Sequence, residues 1–278
     1  MQKILCPVDF SETSLQALEF AVKIGEIQQS VVTLMYVFTE DDFDKLLESD
    51  SISTEYKEKV AIAEGKLADL ALKVNEISIP NGLNACKFVI RFGKRVTNIL
   101  SFAEEEKIDL IVMGMVGITG LTEQYIGGRT QKVIEYAPCP ILCIPEGLSF
   151  HKIKKIVYAT DYQEEDKIAI QQVISLATLL KSHIDIVHIS RNDEVSDQAI
   201  YEDFKEEMKS FVNYAKISFK REVYKDVSKG IHNFMHDENG DLLVLLSKKR
   251  NFFLSIFSSS LTKDLTYFAD YPLLIIKL

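Results

Sequence analysis

An internal repeat constrains the fold of this 278-residue chain more than any other feature. The segment KILCPVDFSETSLQALEFAVKIGEIQQSVVTLMYVF, which begins at Lys3, returns as KIVYATDYQEEDKIAIQQVISLATLLKSHIDIVHIS, which begins at Lys155. Both copies read as an apolar strand, an aspartate, a polar segment, an amphipathic helix and a second strand rich in β-branched residues. The repeat therefore predicts two halves that fold alike.

A second repeat extends this pattern along each half. The segment from Cys86 to Gly114 returns between Ile217 and Ser247, so each half reads β-α-β-α-β-α-β-α-β. Strands that alternate with helices and consist of unbroken Val, Ile and Leu runs indicate a parallel sheet covered on both faces. We predict an α/β fold with two doubly wound, Rossmann-like domains in tandem, residues 1–147 and 151–278, each with the flavodoxin-type strand order.

Composition narrows the classes of function. The formal net charge of −9 argues against nucleic acid as the main partner, because phosphate binding needs clustered Lys and Arg. No apolar run approaches the roughly 20 residues that span a membrane, and the first residues are too polar for a signal peptide. We therefore expect a cytoplasmic protein with no membrane contact. The four cysteines form no CxxC pair and are predicted to be reduced packing residues.

Glycine is concentrated in one loop. Five of the twelve glycines lie in Gly114–Gly128, at the end of the apolar run DLIVMG. In doubly wound sheets ligands bind beyond the carboxyl ends of the strands, and glycines before a helix let the backbone approach a phosphate. With Asp9 at the end of the first strand, the loop favours a nucleotide. A tight strand-to-helix turn is the alternative for the loop, and an N-cap is the alternative for Asp9, although Ser11 and Thr13 compete for that position.

Three motifs connect the chain to a known family. They are ILCPVDFSETS near the start, Gly114-x2-Gly117-x9-Gly127-Gly128, and APCPILCIP. Together they resemble the universal stress protein family in its tandem two-domain form. In the nucleotide-binding branch of that family the loop reads Gly-x2-Gly-x9-Gly-Ser/Thr and binds ATP. The resemblance implies a stress-response protein that binds ATP or a related adenine nucleotide, with or without Mg²⁺, in its N-terminal domain.

The resemblance also implies which residues hold the nucleotide. Asp9 is implied to bond the adenine, in a base pocket lined by Pro7, Val8 and Val37. The ribose and α-phosphate are implied to face Met113, Gly114 and Gly117. The outer phosphates are implied to be received by Gly127, Gly128, Arg129 and Thr130.

One position departs from the family pattern. Gly128 stands where the pattern has Ser or Thr, so a hydroxyl bond to phosphate is missing. A hydrogen bond to a charged group is worth about 1.5–3 kcal/mol, which corresponds to roughly ten- to a hundredfold in affinity. Thr130 is a candidate substitute for that hydroxyl.

The second half lacks the glycine loop. The matching positions are occupied by Ser247, Arg250, Ser259 and Ser260, so we predict that this domain keeps the fold and has lost ATP binding. Asp161, which matches Asp9, is then a structural residue. A different anionic ligand held by Arg250 remains an alternative for this half.

No sequence motif indicates catalysis, so we predict a nucleotide-dependent regulator or scaffold and not an enzyme. His232 and His236 have the i, i+4 spacing of metal ligands, but no third ligand accompanies them and we interpret them as a surface pair. The alternative function is a non-nucleotide, small-ligand-binding or scaffold protein of the same fold. In either case the two domains are expected to form an intramolecular pseudo-dimer, and a homodimer is possible.

Overall fold

The computed structural model describes residues 3–39, 52–115, 128–247 and 270–278. The chain folds into two compact units. Of the described residues, 3–39, 52–114 and 128–150 belong to the N-terminal unit, and 151–247 and 270–278 belong to the C-terminal unit. Each unit is an α/β sandwich built on parallel strands.

The N-terminal unit alternates strands and helices as the repeat predicts. Its strands and helices are, in chain order, β1 (Lys3–Pro7), α1 (Glu12–Gln28), β2 (Val31–Phe38), α2 (Ile52–Ser78), β3 (Ala85–Phe92), α3 (Arg95–Glu105), β4 (Leu110–Met115), α4 (Gly128–Tyr136) and β5 (Ile141–Pro145).

The C-terminal unit follows the same plan. Its strands and helices are β6 (Lys155–Ala159), α5 (Asp166–Leu180), β7 (His183–Ser190), α6 (Val195–Phe211), β8 (Ile217–Val223), α7 (Val227–Asp237), β9 (Leu242–Ser247) and β10 (Leu273–Lys277). The helix predicted between β9 and β10 lies outside the described residues.

The strand order corrects one prediction. The order is β3-β2-β1-β4-β5 in the N-terminal unit and β8-β7-β6-β9-β10 in the C-terminal unit, which is the Rossmann order and not the flavodoxin-type order. The reason is the direction of one crossover: after β2, the chain continues outward, and β3 pairs with β2 from Val31↔Ala85 to Phe38↔Phe92. β4 then returns to the other side of β1, where Ile4 lies opposite Leu110. The strand order therefore reverses between β1 and β4, the two strands predicted to flank the ligand.

The strands of each unit are buried as their apolar runs predict. Every residue of β5 and of β9 is buried, which is expected of parallel strands covered by helices on both faces. All four cysteines are buried and form no disulfide, as expected of packing residues. Burial raises the pKa of Cys86 to about 12, so this thiol stays protonated near neutral pH. No helix within the described residues is long and apolar enough to cross a membrane.

Candidate functional site

The carboxylate of Asp9 lies just beyond the carboxyl end of β1. Its Oδ1 accepts hydrogen bonds from the backbone N–H of Ser11 at 3.2 Å and from the Ser11 hydroxyl at 2.6 Å. Ser11, and not Asp9, is the N-cap of α1, because Ser11 Oγ accepts from the backbone N–H of Ser14 at 3.2 Å. Asp9 therefore supports the cap from outside the helix and keeps its Oδ2 for other partners.

Asp9 is held in its ionised form. Partial burial favours the neutral acid, but the hydrogen bonds from Ser11 and Ser14 and the charge of Arg95 outweigh it, so the pKa of Asp9 is lowered. The Arg95 Nη1 lies 3.5 Å from Asp9 Oδ2, and the Asp9 side chain is 40% exposed. The end of β1 thus presents an accessible carboxylate that accepts hydrogen bonds, which is the chemistry needed to bind an exocyclic amino group.

The residue after Asp9 has an unusual backbone. Phe10 has φ 61°, the left-handed region that a residue with a large side chain seldom occupies. This conformation places the Phe10 ring on the ring of Tyr36 from β2, with centroids 5.3 Å apart and an interplanar angle of 29°. Lys66 Nζ lies 5.5 Å from the Phe10 centroid. The stack packs the residue that follows Asp9 against β2.

Gly114, at the end of β4, is required for packing. A β-carbon at this position would lie 2.6 Å from Thr13 Cγ2 and 3.0 Å from the Thr13 carbonyl oxygen, so the first turn of α1 would have to shift to admit it. The first turn of α1 therefore approaches β4 so closely that a side chain is excluded. This glycine has a structural explanation whether or not a phosphate binds beside it.

Gly128 begins α4 and has open space around it. A β-carbon at Gly128 would meet no heavy atom within 4 Å. The first N–H groups of the helix have no intrahelical acceptors, so α4 offers hydrogen-bond donors at this end. Thr130, in the same turn, is buried, and its hydroxyl donates to the Gly114 carbonyl at 3.4 Å. Donation from Thr130 to a phosphate would require this contact to break.

The structure brings the remaining predicted site residues into different environments. Val8, Val37 and Met113 are 5%, 3% and 8% exposed and form part of the core beneath the strand ends. Pro7 is half-buried and Arg129 is exposed. Gly117 and Gly127 lie outside the described residues. Sequence reasoning did not single out Arg95. This residue begins α3, a helix that follows a different strand, and nothing in the sequence around it indicates that it lies beside Asp9.

The C-terminal unit has a different set of polar groups at the matching positions. Tyr162 has φ 61° and stacks on His188 with centroids 4.0 Å apart, as Phe10 stacks on Tyr36. Asp166 replaces Ser14 and is 1% exposed. The Asp166 carboxylate accepts hydrogen bonds from the Tyr158 hydroxyl, from Thr160 Oγ1 at 2.5 Å and from the backbone N–H of Gln163 at 2.8 Å. This buried network replaces the apolar Cys6 and Val8 of the N-terminal unit.

Other sequence predictions for the C-terminal unit are partly covered by the structure. Ser247, which matches Gly114, is buried and accepts a hydrogen bond from Lys277 Nζ at 3.4 Å. Arg250, Ser259 and Ser260 lie outside the described residues. His236 is exposed and 3.2 Å from Asp237, and no cluster of three or more metal-ligating side chains occurs in the described parts of the chain.

His188 makes the stability of the C-terminal unit depend on pH. Burial lowers the pKa of His188 below its usual 6.5, and the charge of Arg221 lowers it further. The bond to the Thr160 carbonyl and the charges of Asp197 and Asp166 act in the opposite direction without cancelling the effect of burial. Because the unfolded chain takes up the proton first, stability is full above about pH 6.5 and falls as the pH drops through the folded value. Urea denaturation of wild type and His188→Tyr between about pH 7 and pH 5 is expected to show a smaller loss of stability in the variant. An equal loss in both proteins would contradict the assignment.

The fold and the strand-end geometry define a tandem protein of two Rossmann-type α/β units. The sequence model of the universal stress protein family matches residues 1–145 and 152–277, so the chain belongs to the universal stress protein family. Both halves match that family, which confirms the tandem form inferred from the repeat.

Related proteins support this assignment. Universal stress protein MJ0531 of Methanocaldococcus jannaschii is 34% identical over 146 residues, which are 51% of this chain and 81% of the relative. Universal stress protein MJ0577 of the same organism is 29% identical over 157 residues, covering 51% of this chain and 94% of the relative. A universal stress protein structure from Archaeoglobus fulgidus has a TM-score of 0.72 and 16% identity, and the match covers 99% of this chain and 96% of that one. At that identity the structure supports the fold alone.

Proposed function

We propose that the predicted N-terminal domain, residues 1–147, binds ATP or a related adenine nucleotide, and that the chain acts as a nucleotide-dependent regulator or scaffold. The family includes nucleotide-binding members, one of which is solved in complex with cAMP. Most members have no catalytic activity. For this chain the proposal rests on its own residues. The observation that carries it is the ionised, accessible carboxylate of Asp9 at the end of β1, next to the strand that leads into the glycine loop.

The described part of the site fits an adenine nucleotide in three respects. Asp9 supplies an acceptor for the adenine amino group. β1 and β4 are adjacent, so the base and the glycine loop would meet at the point where the strand order reverses. The start of α4 supplies N–H donors and open space above Gly128 for the outer phosphates. Gly114 does not count as support for the proposal, because its close approach to Thr13 already explains why a glycine is needed at this position.

Calorimetric titration with ATP tests the proposal directly. We expect saturable binding at millimolar or lower ATP, with AMP and adenosine binding more weakly because they lack the outer phosphates. Mass spectrometry of small molecules released from the purified protein is a second, independent measurement. Wild-type protein that binds no adenine nucleotide at millimolar concentration would rule the proposal out and leave the small-ligand or scaffold alternative.

Gly128→Ser is expected to strengthen ATP binding about tenfold. The substitution restores the hydroxyl that the family pattern places here, and a bond from a hydroxyl to a charged phosphate is worth about 1.5–3 kcal/mol. The open space at Gly128 accommodates the side chain.

Gly128→Ala is the matched control, since it fills the same space and adds no donor. Its ATP affinity is expected to equal that of wild type. If serine and alanine gave the same affinity, the missing hydroxyl would not be what limits binding, and the contact between Thr130 and Gly114 would be the next group to test.

A further inference from the structure

A cavity of about 250 Å³ lies at the carboxyl ends of β6 and β7 in the C-terminal unit. Its polar wall includes Asp161, His188 and Asp197, and its apolar wall includes Val187, Val227 and Ile231. The cavity is large enough for a single-ring ligand. It is separate from the proposed ATP site of the N-terminal unit, and its existence does not depend on that proposal.

The hydrogen bonding of His188 makes one of its ring nitrogens an acceptor. His188 Nδ1 lies 2.8 Å from the Thr160 carbonyl oxygen, which can only accept, so the proton of the neutral ring sits on Nδ1. Nε2 then carries a lone pair. Burial lowers the pKa of His188, which keeps the ring neutral near neutral pH.

Asp197 supplies a second acceptor next to the first. Its Oδ2 accepts hydrogen bonds from the Ser190 hydroxyl and from Arg221 Nε at 2.9 Å. Although burial acts in the opposite direction, these bonds lower the pKa of Asp197 and keep it ionised. Its Oδ1 lies 3.9 Å from His188 Nε2, and neither atom has a hydrogen bond within the part of the chain that the structure describes. Both residues line the cavity, and neither atom is among the buried polar atoms without a partner in the described residues.

The charges around this acceptor pair favour a cation. Arg221 Nη1 also contacts Asp193 Oδ1 at 3.0 Å, so its charge is shared by two carboxylates. Asp161 and Arg191 also line the cavity and carry opposite charges. The three carboxylates around the pair therefore outnumber the two guanidinium groups by one. The wall thus has excess negative charge and two facing acceptors with no proton between them.

We propose that this cavity binds a small organic cation of the amidine or guanidine class. A planar group with several N–H donors would bridge His188 Nε2 and Asp197 Oδ1, and its charge would complement the carboxylates. The apolar body of the ligand would pack against Val227 and Ile231. The donor pattern of the ligand follows from the acceptor pair, and its size follows from the cavity.

Calorimetry on the full chain tests the proposal with benzamidine as the probe. We expect benzamidine to bind with a dissociation constant below about 10 mM and benzamide, its neutral analogue, to bind at least about tenfold more weakly. Absence of benzamidine binding at about 10 mM, or equal binding of both compounds, would overturn the proposal. Displacement of benzamidine by ATP in an Asp9→Ala background would also overturn it, because the cavity would then be a nucleotide site.

Two variants distinguish benzamidine binding in this cavity from nonspecific attraction of the cation to negative charge. Asp197→Asn removes the charge from one acceptor and is expected to weaken benzamidine binding at least about tenfold. Val227→Phe fills the apolar end and leaves both acceptors in place, and it is expected to prevent binding. Ile168→Phe is the control for added volume, because Ile168 is 53% exposed on α5 and does not line the cavity. Unchanged binding in Val227→Phe would show that benzamidine binds elsewhere, against the proposal, even if Asp197→Asn were poorly folded.

Discussion

Asp9→Ala is expected to abolish ATP binding, and Asp9→Asn is expected to weaken it nearly as much. Alanine removes the acceptor for the adenine amino group. Asparagine retains an oxygen that can accept from Ser11, but it loses the charge and adds an NH₂ group where the adenine amino group needs an acceptor. Loss of a hydrogen bond to a charged group together with an unpaired donor corresponds to a hundredfold or more in affinity, on the order of 3 kcal/mol.

Circular dichroism and urea denaturation provide the control for Asp9. The Ser11 hydroxyl caps α1 directly, so the helix keeps its N-cap in both variants and the spectrum is expected to be unchanged. If Asp9→Asn bound ATP as tightly as wild type, Asp9 would not contact the base. Its ionised state would then have a purely structural purpose, namely to support the cap and to pair with Arg95.

Asp166→Ala is expected to destabilise the C-terminal unit by about 3 kcal/mol or more. The substitution leaves three buried or half-buried donors without an acceptor, from Tyr158, Thr160 and Gln163, and each unsatisfied buried donor costs about 1–3 kcal/mol. Urea denaturation monitored by tyrosine fluorescence or circular dichroism measures the change in the free energy of unfolding.

The matched substitution in the N-terminal unit is Ser14→Ala, at the position equivalent to Asp166. Ser14 is buried, but its hydroxyl donates to a carbonyl in its own turn, that of Ser11 at 2.9 Å, so we expect a loss of about 1 kcal/mol. The double variant Tyr158→Phe/Asp166→Ala removes one donor together with its acceptor and is expected to recover part of the loss. If Asp166→Ala cost no more than Ser14→Ala, the buried carboxylate network would not stabilise the unit.

Much of the fold follows from periodicity. The repeat predicts which segments are strands and helices because unbroken Val, Ile and Leu runs are buried on both faces of a parallel sheet. The sequence does not predict the strand order, because nothing in β3 distinguishes pairing with β2 from pairing with β1. That choice depends on the direction taken by the crossover through α2, which is a property of the whole sheet.

The site was less predictable than the fold. Asp9 is recognisable because an acidic residue follows the first strand, and Ser11 because it precedes an amphipathic helix. Arg95 is 86 residues away from Asp9 in sequence, so their contact appears only in three dimensions. Gly114 shows a different limit: the sequence predicts that it faces the ligand, and it gives no sign that the close approach of Thr13 also requires a glycine here.

The two units show how one scaffold acquires different chemistry at the same strand ends. Both units place an aspartate and then an aromatic residue with φ 61° after the first strand. In the C-terminal unit, however, His188 replaces Tyr36 and Asp166 replaces Ser14. An imidazole and a carboxylate therefore occupy positions that carry a phenol ring and a hydroxyl in the N-terminal unit. We therefore infer that the two units do not bind the same ligand.

The number of ATP molecules bound per chain tests the central claim most directly. Calorimetric titration of the full chain is expected to give one ATP site, which disappears in Asp9→Ala and persists with unchanged affinity in Asp161→Ala, the variant at the matching position of the C-terminal unit. Two sites per chain, or loss of the site in Asp161→Ala, would contradict the assignment of nucleotide binding to the N-terminal unit alone.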